Sequence, residues 1–243
     1  MSKKLEGKVA EGMIMTADQS IDVQRFIDAR GLSRAQVLLL VLCFLVVAVD
    51  GFDTIAIGFI APAIRAEWGA TPAQLAALFG AGHTGLMIGA FAFGPLADRL
   101  GRRAILALTV LFFGAASLAS AFAPSIEMLI LLRFVTGLGL GGALPNAITL
   151  TSEYSPEGRR SSLVMIMFSG FALGAALSGV AAAHLVAASG WRSVLVLGGV
   201  LPLVLAPALW TILPESVRFL VAISSCRTAG CAAPRRPVTG ATG

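Results

Sequence analysis

Six apolar stretches divide this chain, at about residues 37–61, 73–95, 104–123, 127–150, 162–184 and 192–213. An α-helix rises about 1.5 Å per residue, so roughly 20 apolar residues cross the hydrocarbon core of a bilayer. Within that core the backbone has to satisfy its own hydrogen bonds, which leaves only helices or closed barrels. Runs this long, without period-two alternation, select helices. The composition agrees, with 57% hydrophobic and 13% charged residues and a mean hydropathy of +0.87, outside the range of soluble domains. A soluble enzyme is thereby excluded. The expected fold is an all-α membrane protein with six transmembrane helices. Their small-residue faces would associate by close packing, since the lipid offers no hydrophobic drive between them.

Basic residues set the orientation. With the N-terminus in the cytoplasm, Lys3, Lys4, Lys8, Arg25, Arg30 and Arg34 lie inside, followed by Arg99, Arg102 and Arg103, Arg159 and Arg160, and finally Arg218, Arg227, Arg235 and Arg236. Only Arg65 and Arg192 fall in outer loops. The chain is therefore expected to run N-in and C-in. It divides into a cytoplasmic segment over 1–35, a helical unit over 36–214 and a cytoplasmic tail over 215–243. The pI near 9.7 reports this topology, and no basic patch interleaved with aromatics suggests nucleic acid. Some 35 polar residues precede the first apolar run, which is too long for a signal-peptide core. Residues 21–29 are weakly amphipathic and read as a surface-lying lead-in. Cys43 reads as helix packing. Cys226 and Cys231 have no histidine at metal-site spacing, so neither metal nor cofactor is expected.

The costly residues are those inside the spans. A carboxylate near the centre of a spanning helix costs on the order of 3 kcal/mol on insertion scales. Asp50 and Asp53 both occur in the first apolar run. Their spacing of three places them on one helix face, looking into one cavity or partner. Chains that keep such groups in the membrane move protons, ions or charged solutes. His83 lies in the second span, either in a proton relay or simply bonded to a neighbour. Arg133 lies in the fourth, as a structural ion pair, as a snorkelling cation or as a functional charge. Asn146 follows Pro145 and could compensate the carbonyl that the proline frees.

Between spans, Gly94-Pro95 reads as the end of the second helix and Gly101 as a tight turn. Asp98 is placed to accept from a helix N-terminus, while Arg99, Arg102 and Arg103 hold this loop at the inner surface. In the fourth span, Gly137 with Gly141 and Gly139 with Ala143 form small-xxx-small faces, and Gly170, Gly174 and Gly179 do so in the fifth. Trp68 is an interface anchor and the first helix ends near Pro62. Asp50 precedes Pro62, and Arg133 precedes Pro145, by the same interval. That spacing fits two three-helix repeats of opposite orientation.

The run Gly94-Pro-Leu96-Ala-Asp98-Arg99-Leu-Gly101-Arg102-Arg103 resembles the loop 2–3 signature of the major facilitator superfamily. Arg133 with Gly137 and Gly139 is similar to its helix 4 motif. Glu153, Pro156 and Arg160 are similar to its loop 4–5 pattern, and Pro214-Glu215-Ser216 with Arg218 to its segment after helix 6. Asp50-Gly51-Phe52-Asp53-Thr54, followed by Gly58 and Pro62, resembles the aromatic acid:H⁺ symporters within it. The resemblance covers roughly residues 20–222 and implies the N-terminal half of that fold, two inverted three-helix repeats, in a bacterial inner membrane. It further implies a cavity lined by helices 1, 2, 4 and 5, with 3 and 6 peripheral. The superfamily has twelve spans where this chain shows six. From about Ile223 the sequence turns to Arg, Ala, Gly, Pro and Cys, as a shifted reading frame in GC-rich DNA would give. A prematurely ended gene is the expected cause, with a linker to a separately encoded half as the alternative.

These readings predict a proton symporter of small aromatic carboxylates such as benzoate, hydroxybenzoate or protocatechuate, present as its N-terminal half. Asp50, Asp53, Arg133, His83 and Asn146 would handle substrate and proton. Arg133 would hold the carboxylate bidentately, and the two acids would titrate as a coupled pair. Gly94, Asp98, Arg99, Gly101, Arg102 and Arg103 would form the gating loop, with Glu153 and Arg160 in loop 4–5. The partners are the lipid bilayer, protons, the aromatic anion and either a C-terminal half or a second copy. The alternatives are a carrier of sugars or drugs, or an inactive fragment that needs a second half.

Overall fold

The computed structural model describes residues 33–213, and no strand occurs among them. Six long helices follow one another: α1 (Arg34–Trp68), α2 (Pro72–Leu100), α3 (Arg102–Ser120), α4 (Ile126–Glu153), α5 (Arg160–Ser189) and α6 (Arg192–Ile212). A single 3₁₀ turn, Glu157–Arg159, leads into α5. All six are long and apolar enough to cross a membrane. The amphipathic lead-in, the segment starting at Pro214, and Cys226 and Cys231 lie outside the described residues.

Helix starts carry the expected chemistry. Ser33 and Thr71 each accept from the backbone N–H three residues on, and Gln36 and Gln74 return the bond to complete two capping boxes. Proline stands at the first position of α2, where its missing N–H costs nothing. Ends were harder to read. α1 does not end near Pro62 but runs on to Trp68, stopping at Gly69 with φ 65°. Gly94-Pro95 does not end α2 either, since that helix continues to Leu100. In both cases proline removes one hydrogen bond, whereas ending the helix in an apolar setting would expose several backbone groups. The signature run is therefore mostly the last turns of α2. The turn itself is Gly101, at φ 97°, a conformation that L side chains rarely adopt.

Close packing follows the glycine faces. A methyl group on Gly137 or Gly141 would lie 2.1 Å from the carbonyl oxygen of Gly82 or Leu86, so α4 meets α2 backbone to backbone. The second face of α4, Gly139 and Gly142, packs on Phe113 and Thr109 of α3. Gly170 and Gly174 of α5 press in the same way on the carbonyls of Phe44 and Ala48 in α1. Thus α2 pairs with α4, α5 pairs with α1, and α3 pairs with α6. This is the pattern produced by a two-fold axis relating α1–α2–α3 to α4–α5–α6, as the inverted repeat requires.

The apolar interior falls into two clusters. One runs from Leu39 to Val49 of α1 and includes Phe113, Leu140 and Leu205. The other includes Phe52 to Ile64, Ala121, Leu129 and Leu195. Buried Asp53, Ser117, Arg133 and Thr136 occupy the seam between them, on three different helices.

A buried ion pair beneath an apolar cleft

At that seam Arg133 of α4 donates from Nη1 to Oδ2 of Asp53 in α1 at 2.8 Å. The two side chains are 4% and 3% exposed. Removing two charges from water costs several kcal/mol per ion, so only a close, well-bonded pair persists there. Asp53 is fully occupied, because its Oδ1 accepts from Ser117 Oγ of α3 at 2.6 Å. Arg133 is not. Its Nε and Nη2 are buried without a hydrogen-bond partner, leaving the outer edge of the guanidinium unused.

That arginine lines an open cleft. Asp53, Thr54 and Ile57 of α1 border it, with Leu78, Phe79, His83 and Leu86 of α2 and Thr136 and Leu140 of α4. An apolar pocket with a few convergent polar groups is the ordinary form of a small-molecule site. His83 is bonded to a neighbour, its Nδ1 donating to the Phe79 carbonyl at 2.9 Å, and it lines the cleft.

Three expectations need correction. Asp50 and Asp53 do not share a cavity. Asp50 is buried outside the cleft lining, accepting only from Thr54 Oγ1 at 3.3 Å, and its Oδ2 has no partner. A spacing of three residues still separates two side chains by about 60° around a helix, enough here to send one acid to the cleft and the other into packing. The cleft is lined by α1, α2 and α4, without α5, while α3 reaches the site through Ser117. Asn146 donates to the Gly142 carbonyl at 2.7 Å, one residue beyond the carbonyl that Pro145 leaves without its helical donor.

At the opposite end of the cleft helices, the signature residues assemble around Arg102. Its Nη2 donates to Asp98 Oδ1 at 2.8 Å and its Nε lies 3.8 Å from Glu153 Oε1. Asp98 thus bonds an arginine side chain, not a helix N-terminus. The loop 2–3 and loop 4–5 motifs meet here, tying the start of α3 to the end of α4. Arg103 donates to the Trp210 carbonyl of α6, whereas Arg99 is exposed. Gly94 has open space around its Cα, and Arg160 is half-buried at the start of α5.

Sequence reasoning missed Ser117, because a lone hydroxyl in an apolar helix looks like any small packing residue. It also missed the far-end cluster, in which Trp191 Nε1 and Arg192 Nη1 donate to the two oxygens of Glu67 at 2.6 and 2.7 Å. The Arg192 guanidinium lies 4.6 Å from the Trp191 ring centroid and 5.6 Å from that of Trp68.

Six apolar helices arranged as two inverted three-helix repeats, with a charged pair buried at their seam, define a multi-pass membrane protein. Residues 43–224 match the sequence model of the Major Facilitator Superfamily, and the chain belongs to that superfamily. It is 54% identical over 203 residues to the 4-hydroxybenzoate transporter PcaK of Pseudomonas putida, covering 84% of this chain and 45% of that protein. It is 49% identical over 205 residues to the gallate transporter of the same species, covering 84% and 46%. The benzoate transport protein of Acinetobacter baylyi is 32% identical over 208 residues, covering 84% and 44%. The chain therefore spans about half the length of these curated relatives. Among solved structures, the inward-open xylose transporter XylE of E. coli superposes with a TM-score of 0.69 at 20% identity, over 80% of this chain and 52% of that one. A bacterial homologue of the lysosomal transporter Spinster gives 0.70 at 21%, over 76% and 46%. At such identities these two likenesses concern the fold alone.

Proposed function

We propose that this chain is the N-terminal half of a proton-coupled carrier of small aromatic carboxylates. The observation that carries the reading is the unused edge of Arg133. Nε and Nη2 form a two-donor edge matched to a carboxylate, and they are buried beside a cleft walled by Phe79, Leu78, Ile57 and Leu140. The charged end of a benzoate-like anion docks on that edge and its ring lies against the apolar wall. A neutral sugar has no use for the buried cation, which weighs against the sugar alternative. The relatives carry 4-hydroxybenzoate, gallate and benzoate by name, in keeping with this chemistry.

Asp53 holds the remaining donor of Arg133 and exchanges the coupled proton, while Asp50 keeps a second carboxyl on the same helix. Arg102, Asp98 and Glu153 act at the cytoplasmic gate, with both termini on the cytoplasmic side of a bacterial inner membrane. Residues 36–214 form the transport unit, between a cytoplasmic segment over 1–35 and a tail over 215–243. A second six-helix half closes the cleft from the other side. The exposed faces of α2 and α5, with Phe91, Met87 and Met165 largely uncovered, offer the surface it would meet.

Binding of radiolabelled 4-hydroxybenzoate to the chain in lipid nanodiscs tests the reading, alone and coexpressed with the C-terminal half of the Pseudomonas putida relative. Saturable binding displaced by benzoate and not by xylose is expected. Arg133→Lys should weaken it about tenfold or more, since lysine lacks the planar two-donor edge. No saturable binding in either arrangement sinks the proposal.

A further inference from the structure

Buried hydroxyls in these helices mostly bond to their own backbone. On α3, Thr109 donates to the Ile105 carbonyl at 2.8 Å and Ser120 to the Ala116 carbonyl at 2.9 Å. On α4, Thr136 does the same to Leu132 at 2.8 Å. Ser117 departs from this habit. It is fully buried on α3, yet its hydroxyl reaches across to Asp53 Oδ1 at 2.6 Å. A hydroxyl has one proton to donate. Ser117 therefore chooses between the Asp53 carboxylate and the carbonyl of Phe113, four residues back on its own helix.

The surroundings leave rotation of that hydroxyl as the available movement. At this level α3 is locked to α6: a methyl group on Gly199 would lie 2.5 Å from the Leu118 backbone nitrogen, and one on Gly114 would lie 2.9 Å from the Pro202 ring. A methyl group on Gly198 would stand only 3.5 Å from Asp53 Oδ1. The carboxylate is thus enclosed by α1, α3, α4 and α6. The charged or titratable side chains about it are Asp50 on its own helix, Arg133 from α4 and His83 from α2 across the cleft. From α3 comes Ser117, and from α6 only glycine backbone.

We propose that Ser117 is the positioning residue of the proton-exchanging carboxylate, fixing Asp53 when it is paired with Arg133 and turning back to α3 when the proton arrives. The proposal rests on the proton-coupled reading above and brings a helix that lines none of the cleft into the coupling step. Donation to Oδ1 distinguishes the two protonation states of Asp53, so its loss must move the pH at which that carboxyl exchanges its proton.

Infrared titration of the reconstituted chain tests this without requiring transport or a second half. Asp53→Asn identifies the Asp53 carboxyl band. In Ser117→Ala the midpoint of that band should move by about one pH unit or more, and Ser117→Thr should restore it. Ser120→Ala removes an equally buried hydroxyl of the same helix without touching Asp53, and should leave the midpoint unmoved. If Ser117→Ala does not fold, Ser117→Cys, a weak donor of similar size, is read in its place. A midpoint unchanged in Ser117→Ala (or in Ser117→Cys where that is read in its place), or moved equally by Ser120→Ala, overturns the proposal. So does the absence of any Asp53 band between about pH 4 and about pH 10, because Ser117 would then have no protonation to govern. Failure to bind 4-hydroxybenzoate would remove the aromatic-acid reading while this titration still decides the role of Ser117.

Discussion

Arg133–Asp53 and Arg192–Glu67 are two arginine–carboxylate pairs of almost the same length, 2.8 and 2.7 Å, in very different surroundings. The first is about 4% exposed and lies between two apolar layers; the second is about 42% exposed at the far end of α1 and α6. Distance alone would rank them equal. Solvent decides otherwise, because water competes for and screens the exposed pair, while the buried one has only protein groups about it, Ser117 among them. Satisfaction also differs. Glu67 is bonded at both oxygens and Arg192 also lies over two indole rings. Arg133 keeps two donors in reserve. The exposed pair staples α1 to α6, whereas the buried pair has capacity left for a ligand.

The largest expected effect is at the buried pair. Arg133→Gln strands Asp53 without its cation and should lower stability by about 3–5 kcal/mol, measured by thermal unfolding in detergent. Asp53→Asn together with Arg133→Gln should recover much of that loss without recovering ligand binding. A full recovery of binding would break the distinction between the pairs. Next comes the contact that keeps α2 and α4 together beside the pair. Gly141→Val drives a side chain into the Leu86 carbonyl and should cost about 1–3 kcal/mol, with water entering the seam and Arg133 hydrogen exchange accelerating. Arg192→Ala should cost only about 0.2–1 kcal/mol, and less at high salt. An effect matching that of Arg133→Gln would show that exposure does not rank the pairs. Smallest is Asp98→Asn at the junction of α2 and α3, where a 63% exposed carboxylate meets Arg102 one turn on. There the stability change should be about 0.5 kcal/mol or less, readable by the same unfolding assay.

Much of the architecture is legible in the chain. Hydropathy marks six spans, each starting within three residues of an observed helix, and glycine spacing marks the faces by which α4 meets α2 and α5 meets α1. Helix ends were less legible, because a membrane setting makes stopping at Pro62 or Pro95 worse than continuing through them. At the site, the residue types were readable and their partnership was not. The equal spacing of Asp50 and Arg133 ahead of their prolines suggests that these two correspond. Equivalent positions on symmetry-related helices need not touch, and Arg133 bonds Asp53 instead.

By itself the sequence determined a six-helix membrane protein of the Major Facilitator Superfamily with expensive charges in its first and fourth spans, because bilayer thickness and the cost of buried charge act on composition and period. Only the tertiary structure decided which acid meets the arginine, that α3 joins them through Ser117, and that one edge of Arg133 stays unused. Those outcomes depend on the rotation of each helix about its axis. That rotation is set by where small residues let the backbones close, and a difference of 60° separates an acid in the cleft from an acid in the packing.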